Sequence, residues 1–268
     1  MDSAEIRNLG VVSGSVSGLV YAGGLAGSAE GSTIINCYAA VKVSGVGTSM
    51  DDAMYTGGLV GGFFYYSNLE NCFATGTVIG DSYVGGLAGV IDSCEIINCY
   101  TTGDVVGIRD YVGGLAGNAD TTNLTYCYAA GEVIGNNIAG GLAGSINAAT
   151  DIKYCAALNH AVRRRTMSTG LKFGLIVGQY DGNALGNTHA WVGMDYPEPH
   201  ASLTGSHGGI QIATTNVAKS ETLYRVTLSW PFGSTDLNPW MMGNTSYPLP
   251  VLYWQTEASY PELPEHLR

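Results

Sequence analysis

Proline is missing from the first 196 residues; all eight prolines fall from Pro197 onward. Proline cannot donate to a sheet ladder, so its absence leaves that long stretch open to continuous strand pairing. Tryptophan is also absent until Trp191 and then recurs at Trp230, Trp240 and Trp254. Basic residues are scarce, with 11 Lys and Arg against 22 Asp and Glu, a formal net charge of −11. Such a surface repels nucleic acid and anionic membranes, so neither is an expected partner. No uninterrupted apolar run reaches about 18 residues, so no segment is expected to cross a bilayer as a helix. No leader is visible either, but Met1-Asp2-Ser3 reads as a trimmed start, so this says nothing about the native protein. There is no CxxC pair, no G-x-S-x-G elbow and no H-E-x-x-H, and the five histidines, all after residue 159, show no ligand spacing. Neither a metal nor a cofactor is expected.

What is present is glycine and a repeat. Thirty-nine glycines argue against helices, since each weakens a helix interior by about 1 kcal/mol relative to alanine. The stretch Tyr111-Val112-Gly113-Gly114-Leu115-Ala116-Gly117 recurs at Tyr21–Gly27, Tyr55–Gly61, Tyr83–Gly89 and Ile138–Gly144. Its leucines are Leu25, Leu59, Leu87, Leu115 and Leu142, giving steps of 34, 28, 28 and 27. A period of that size means one supersecondary unit per repeat, stacked on its neighbours. In the fourth repeat three extended pieces are expected, Tyr111–Ala116, Asn123–Ala129 and Glu132–Ile134, separated by glycines. Three short strands per turn of about 28 residues predict an all-β single parallel β-solenoid of about six coils; a propeller blade needs 40 or more residues. Crossovers between parallel strands are expected to be right-handed.

Five of the six cysteines keep the register: Cys37, Cys72, Cys99, Cys127 and Cys155 each follow a motif leucine by 12 or 13 residues. Leu9 and Thr188 fall in the same column at its two ends, so the column reads as buried packing, with reduced thiols, rather than as bridges or ligation. Cys94 is off this register and is expected to be exposed. Two aromatic columns share the period, Tyr21, Tyr55, Tyr83, Tyr111 and Tyr38, Phe73, Tyr100, Tyr128. Stacked like residues are ordinary cross-strand stabilisation, and an outward column could also serve as a sugar platform. Asn36, Asn71 and Asn98 form a ladder interrupted by Tyr126 and Tyr154.

Cysteine-to-next-leucine gaps are 15 or 16 residues in the regular coils but 22 between Cys37 and Leu59 and 21 between Cys155 and Ile176. Insertions at one position of a repeat emerge from one face, often the binding face. The first carries Asp51 and Asp52 and the second Arg163, Arg164 and Arg165; these five residues are the candidate ligand-binding rim, about 19 Å from end to end at the usual strand spacing. Composition changes near residue 191. Residues 1–191 therefore read as the solenoid, and residues 192–268 as a C-terminal capping segment expected to cover the last coil. Within it, strands are expected over 209–214, 225–230 and 250–254, with a short helix over 217–224.

The Gly-Leu-x-Gly core, the Asn-Cys-Tyr/Phe stretch and the following Gly-x-Val-x-Gly resemble the GLUG-motif repeats of bacterial surface proteins. Good matches are Gly86-Leu87-Ala88-Gly89 with Asn98-Cys99-Tyr100, and Gly58-Leu59-Val60-Gly61 with Asn71-Cys72-Phe73. The resemblance covers roughly residues 8–191. It implies an extracellular or cell-surface β-helix of adhesin-like proteins, without catalytic residues of its own. Such a rod is expected to be a monomer that either displays loops binding a surface glycan or protein or acts as a rigid spacer. The competing expectation is a carbohydrate-active enzyme, a polysaccharide lyase or glycosidase, on the same fold. Its only support is that Asp104 and Glu132 share one repeat position, which brings them about 5 Å apart, the separation of a retaining pair; an exposed, solvated column is the favoured explanation of the two.

Overall fold

The computed structural model describes residues 2–45, 54–166, 172–181, 185–195 and 210–268. One regular coil contains five short strands, Val112–Gly113, Ala116–Asp120, Asn123–Thr125, Tyr128–Ala129 and Val133–Gly135. The three pieces expected from the sequence are thus five, because two of them bend. At Gly114-Leu115 the carbonyl of Leu142 accepts both the Leu115 and the Ala116 N–H, at 2.8 and 3.0 Å, so the chain turns without losing its bonds to the next coil. At Tyr126 the backbone takes φ of 56°, a left-handed corner.

Equivalent strands stack in parallel into five sheets, numbered here first to fifth in the order of that coil. Four contain six strands and the fourth sheet contains eight. Register runs unbroken, as in Val84 to Val112 to Ala139. The all-β parallel solenoid of about six coils is the observed architecture. Its interior is filled by columns. Leu59, Leu87, Leu115, Leu142 and Ile176 form one, Val43, Val78, Val105, Val133 and Val162 another, all fully buried. The motif glycines permit this density: a Cβ on Gly86 would lie 2.1 Å from the carbonyl oxygen of Gly114 in the next coil.

The cysteine column lines an inward corner. Cys37, Cys99 and Cys127 donate their backbone N–H to the Sγ of Cys72, Cys127 and Cys155 at 3.3 to 3.4 Å. Each of these thiols also points at the carbonyl two residues before it, as Cys72 does to Glu70 at 3.1 Å. Thr188 continues the column and places its Oγ1 3.2 Å from the Gly186 carbonyl. At the other end Leu9 keeps the register, since the adjoining Gly10 pairs with Tyr38, but is 45% exposed because no coil lies beyond it among the described residues. Cys94 is not exposed, contrary to expectation. It belongs to a second inward corner column, Ser32, Ser67, Cys94, Thr122 and Thr150, in which Ser32, Cys94 and Thr122 donate N–H to Ser67 Oγ, Thr122 Oγ1 and Thr150 Oγ1. The asparagine ladder has a backbone cause as well. Asn8, Asn36, Asn71, Asn98 and Asn187 all sit at φ of 45 to 55°, a region asparagine tolerates better than most residues. Tyr126 and Tyr154 adopt the same corner at φ of 56°, so the side-chain ladder breaks there while the backbone path does not.

The C-terminal segment does more than meet the last coil. Strand Ile210–Ile212 extends the fourth sheet in parallel beside His189–Trp191. The remainder lies along the outer flank of that sheet, where Tyr38, Phe73, Tyr100 and Tyr128 stack ring on ring at 4.7 to 4.9 Å. Trp240, fully buried, lies 6.2 and 6.1 Å from Tyr100 and Tyr128. Trp240 Nε1 donates to Asn98 Oδ1 at 2.9 Å, Trp230 Nε1 to the Tyr154 carbonyl at 2.6 Å, and Tyr128 to the Pro250 carbonyl at 2.9 Å. Secondary structure here follows burial. The strand expected over 225–230 is instead a π-helical turn, Leu223–Thr227, which puts Leu223, Tyr224 and Leu228 on one buried side; strand alternation would separate them. The helix expected over 217–224 is the four-residue Thr215–Ala218. The other two expected strands are Ile210–Ile212 and Pro250–Leu252, the latter antiparallel to Trp240–Met242.

All six cysteines are free and buried. Burial pushes the Cys94 thiol up to about 11 and Cys99 and Cys155 well above the ordinary thiol value, which suppresses the reactive thiolate there. Cys72 and Cys127 shift the other way, because their burial is outweighed by hydrogen bonds from neighbouring thiols and amides, but both are fully enclosed. A thiol reagent at pH 8 should therefore label the native protein slowly and should count six thiols after denaturation without reductant. Fast native labelling, or fewer than six in the denatured chain, contradicts the columns.

Candidate functional site

Two places on the surface gather the residues singled out by the sequence. The first is the corner between the fifth and first sheets. In regular coils the connection is short, from Gly80 to Val84, from Gly107 to Val112 and from Gly135 to Ile138. It is long twice, from Gly45 to Tyr55 and from Arg164 to Lys172. Both insertions therefore leave the same corner. Asp51 and Asp52 lie outside the described residues. The three arginines do not act as one group. Arg163 pairs with Ile134 on the outer face and binds Glu132 at 3.0 Å and Asp195 at 3.3 Å. Arg164 takes the column position of Gly80, Gly107 and Gly135, and its Nε is buried without a hydrogen-bond partner among the described residues. Arg165 is exposed and its backbone N–H donates to the Gly135 carbonyl at 2.7 Å. One coil-to-coil ion pair braces this corner, with Arg109 Nε 2.8 Å from Asp81 Oδ1.

Tyr21, Tyr55, Tyr83 and Tyr111 rise beside the same corner with ring centroids 4.7 to 5.1 Å apart. Tyr21 stacks on Tyr55 and Tyr83 on Tyr111, while Tyr55 and Tyr83 are tilted by 43°, so most ring faces are turned to a neighbour within the column. That geometry suits a ladder and does not suit a sugar platform, which needs open faces.

The second place is a cleft of about 590 Å³ between the solenoid and the chain's last residues. Thr102, Asp104, Glu132 and His160 line one side and Glu262, Glu265 and His266 the other. Asp104 and Glu132 do meet, as their shared position implied: Asp104 Oδ1 accepts the Glu132 backbone N–H at 2.9 Å. Glu132 in turn holds Arg163, so this cleft and the arginine strand are connected. His266 Nε2 is 2.7 Å from the Leu158 carbonyl, and its ring lies 4.8 Å from Trp191 and 5.2 Å from His160. Carboxylates at this spacing can accept hydroxyl or ammonium donors. Among the described residues no group of three or more His, Cys, Asp or Glu is arranged to hold a metal ion. Register alone finds Asp104 and Glu132. His160 and His266 carry no such signal, because no other coil has a histidine at the position of the first and the second comes from the end of the chain.

The family model for the GLUG motif matches residues 18–44, 52–79, 80–106 and 110–134. The fifth and sixth coils fall outside these matches yet continue the sheets in register. No curated protein and no solved structure is significantly similar to the chain.

Burial lowers the pKa of His266, a shift that its bond to Leu158 opposes and His160 reinforces; burial lowers His189 likewise. The unfolded chain then takes up these protons first. Their contribution to stability is complete above the ordinary histidine value of about 6.5 and is lost as the pH falls below it. The melting temperature should fall between about pH 7.5 and 5.5, and His266→Gln should flatten part of that fall. An unchanged slope in His266→Gln would show that the tail histidine carries none of it.

Proposed function

The chain is a GLUG-motif repeat protein, and we propose that it serves as a non-catalytic, adhesin-like module displayed outside a bacterial cell, binding a surface glycan or protein as a monomer. The observation that carries this reading is the shared corner of the two insertions. A rigid stack that interrupts its period twice, both times between the fifth and first sheets, starts both insertions from one corner. The GLUG repeats are compatible with that role, since a β-helical rod holds loops at fixed spacing and keeps them away from an anchoring surface. Arg165 and the exposed edges of the tyrosine ladder adjoin the loops and extend the area a partner could touch. Ligand recognition here needs no cofactor.

A second reading has one observation behind it. Asp104 and Glu132 border the 590 Å³ cleft together with His160, which is the kind of place a glycosidase would use. Against it, Glu132 is engaged by Arg163 and Asp104 by the backbone. Arrays of glycans and host-matrix proteins separate the two readings. Binding that weakens at least about tenfold when Arg163–Arg165 become alanine supports display at the corner. Reproducible polysaccharide cleavage abolished by Asp104→Ala would overturn the non-enzymatic reading.

A further inference from the structure

The aromatic column of the fourth sheet is sealed by the C-terminal segment over Tyr100 and Tyr128, both fully buried, but it opens at its first coil. There Tyr38 is partly exposed, and Phe73 forms a floor beneath a cavity of about 380 Å³. Tyr260 forms another wall, and Thr75, Thr256 and Ser259 bring hydroxyls. None of its lining residues is charged, on a chain whose formal net charge is −11. Trp254 packs against Tyr38 and Phe73 at 6.1 and 5.6 Å, and its buried Nε1–H has no acceptor among the described residues. The aromatic stack thus meets a buried, unpaired donor at this end; at the far end of the same sheet position His189 Nδ1 is unpaired among the described residues as well.

We propose that this cavity binds the terminal unit of a neutral glycan. The proposal rests on the reading of the protein as a binding module and names its ligand class. A volume of 380 Å³ lies at the small end of ligand pockets and suits one or two sugar rings. Tyr260, which is partly exposed and outside the ring stack, offers apolar surface to the C–H face of a pyranose, with the edge of Tyr38 beside it. The Thr75 and Thr256 hydroxyls can donate and accept, and Ser259 Oγ, whose proton goes to the Thr256 carbonyl at 2.8 Å, can accept, which matches the paired donor and acceptor character of sugar hydroxyls. The lack of charge selects against acidic sugars, because a carboxylate would lose its water and gain no cation. An apolar peptide side chain fits less well, since it would strip water from Thr75, Thr256 and Ser259 without replacing those hydrogen bonds.

The test is binding of the whole protein to an array of neutral and acidic glycans, repeated with Ala258→Trp, which fills the cavity from an exposed position, with Tyr260→Ala, and with Thr75→Val. Binding to neutral terminal sugars is expected, weakened at least about tenfold in the first two variants and roughly three- to tenfold in the third, with melting temperatures near that of the parent. Neutral-glycan binding that survives both Ala258→Trp and Tyr260→Ala refutes the cavity while leaving the binding module intact, as does binding confined to acidic glycans or to peptides. Loss of binding only on replacing Arg163–Arg165 moves the ligand to the corner loops and refutes the cavity as well. Silence on glycans and on matrix proteins alike overturns both readings.

Discussion

The structure depends on what happens to a backbone N–H at an inward corner. A parallel coil must turn several times per circuit, and at each turn an amide leaves the regular ladder while still facing a dry interior. An unpaired buried N–H costs about 1–3 kcal/mol, so the corner has to supply an acceptor. Two corners do so with the side chain of the next coil, through the columns containing Cys72, Cys127 and Cys155 and containing Ser67, Thr122 and Thr150. The acceptor must be small enough for an interior packed at strand spacing, about 4.8 Å between coils. Cysteine, serine and threonine meet that condition, which explains why Thr188 can end a cysteine column and why Cys94 can stand among serine and threonine.

The same constraint decides what was legible in the sequence. Anything that repeats with the coil could be read: the motif leucines, the cysteine column with Thr188, the parallel stack, and the meeting of Asp104 with Glu132. Cys94 was misread because its column mixes three residue types, and a search for cysteine register cannot see a register of size and hydrogen bonding. The number of strands per coil was also hidden. The bend at Leu115 is made by a shared carbonyl, which has no residue signature, and the left-handed bend at Tyr126 shows in the sequence only through the asparagines that hold the same corner in other coils.

The C-terminal segment was the least legible part, since it has no period. Its packing is set by the outer ring of the fourth sheet, where four stacked aromatic rings present a surface too apolar to leave wet. Trp230 and Trp240 close over that surface and hand their N–H groups to Tyr154 and Asn98 at the left-handed corner. The corner column thus has a second use, since its polar groups anchor the flank. Burial of Leu223, Tyr224 and Leu228 on one side then explains why a helical turn replaces the strand that propensity alone suggested. The candidate sites follow from this arrangement. The large cleft and the small aromatic cavity both lie on the seam between solenoid and tail, so one side of each is periodic and readable and the other is not.

The most direct test of the corner account compares two substitutions of equal size at one position, Cys127→Thr and Cys127→Val. Both fill the same space, and only threonine can accept the Cys99 N–H, which now meets Cys127 Sγ at 3.4 Å. Urea unfolding should place the valine variant below the threonine variant by about 1–3 kcal/mol. Equal stability, or a more stable valine variant, would mean that the columns are packing alone and that the corner amide does not need its acceptor.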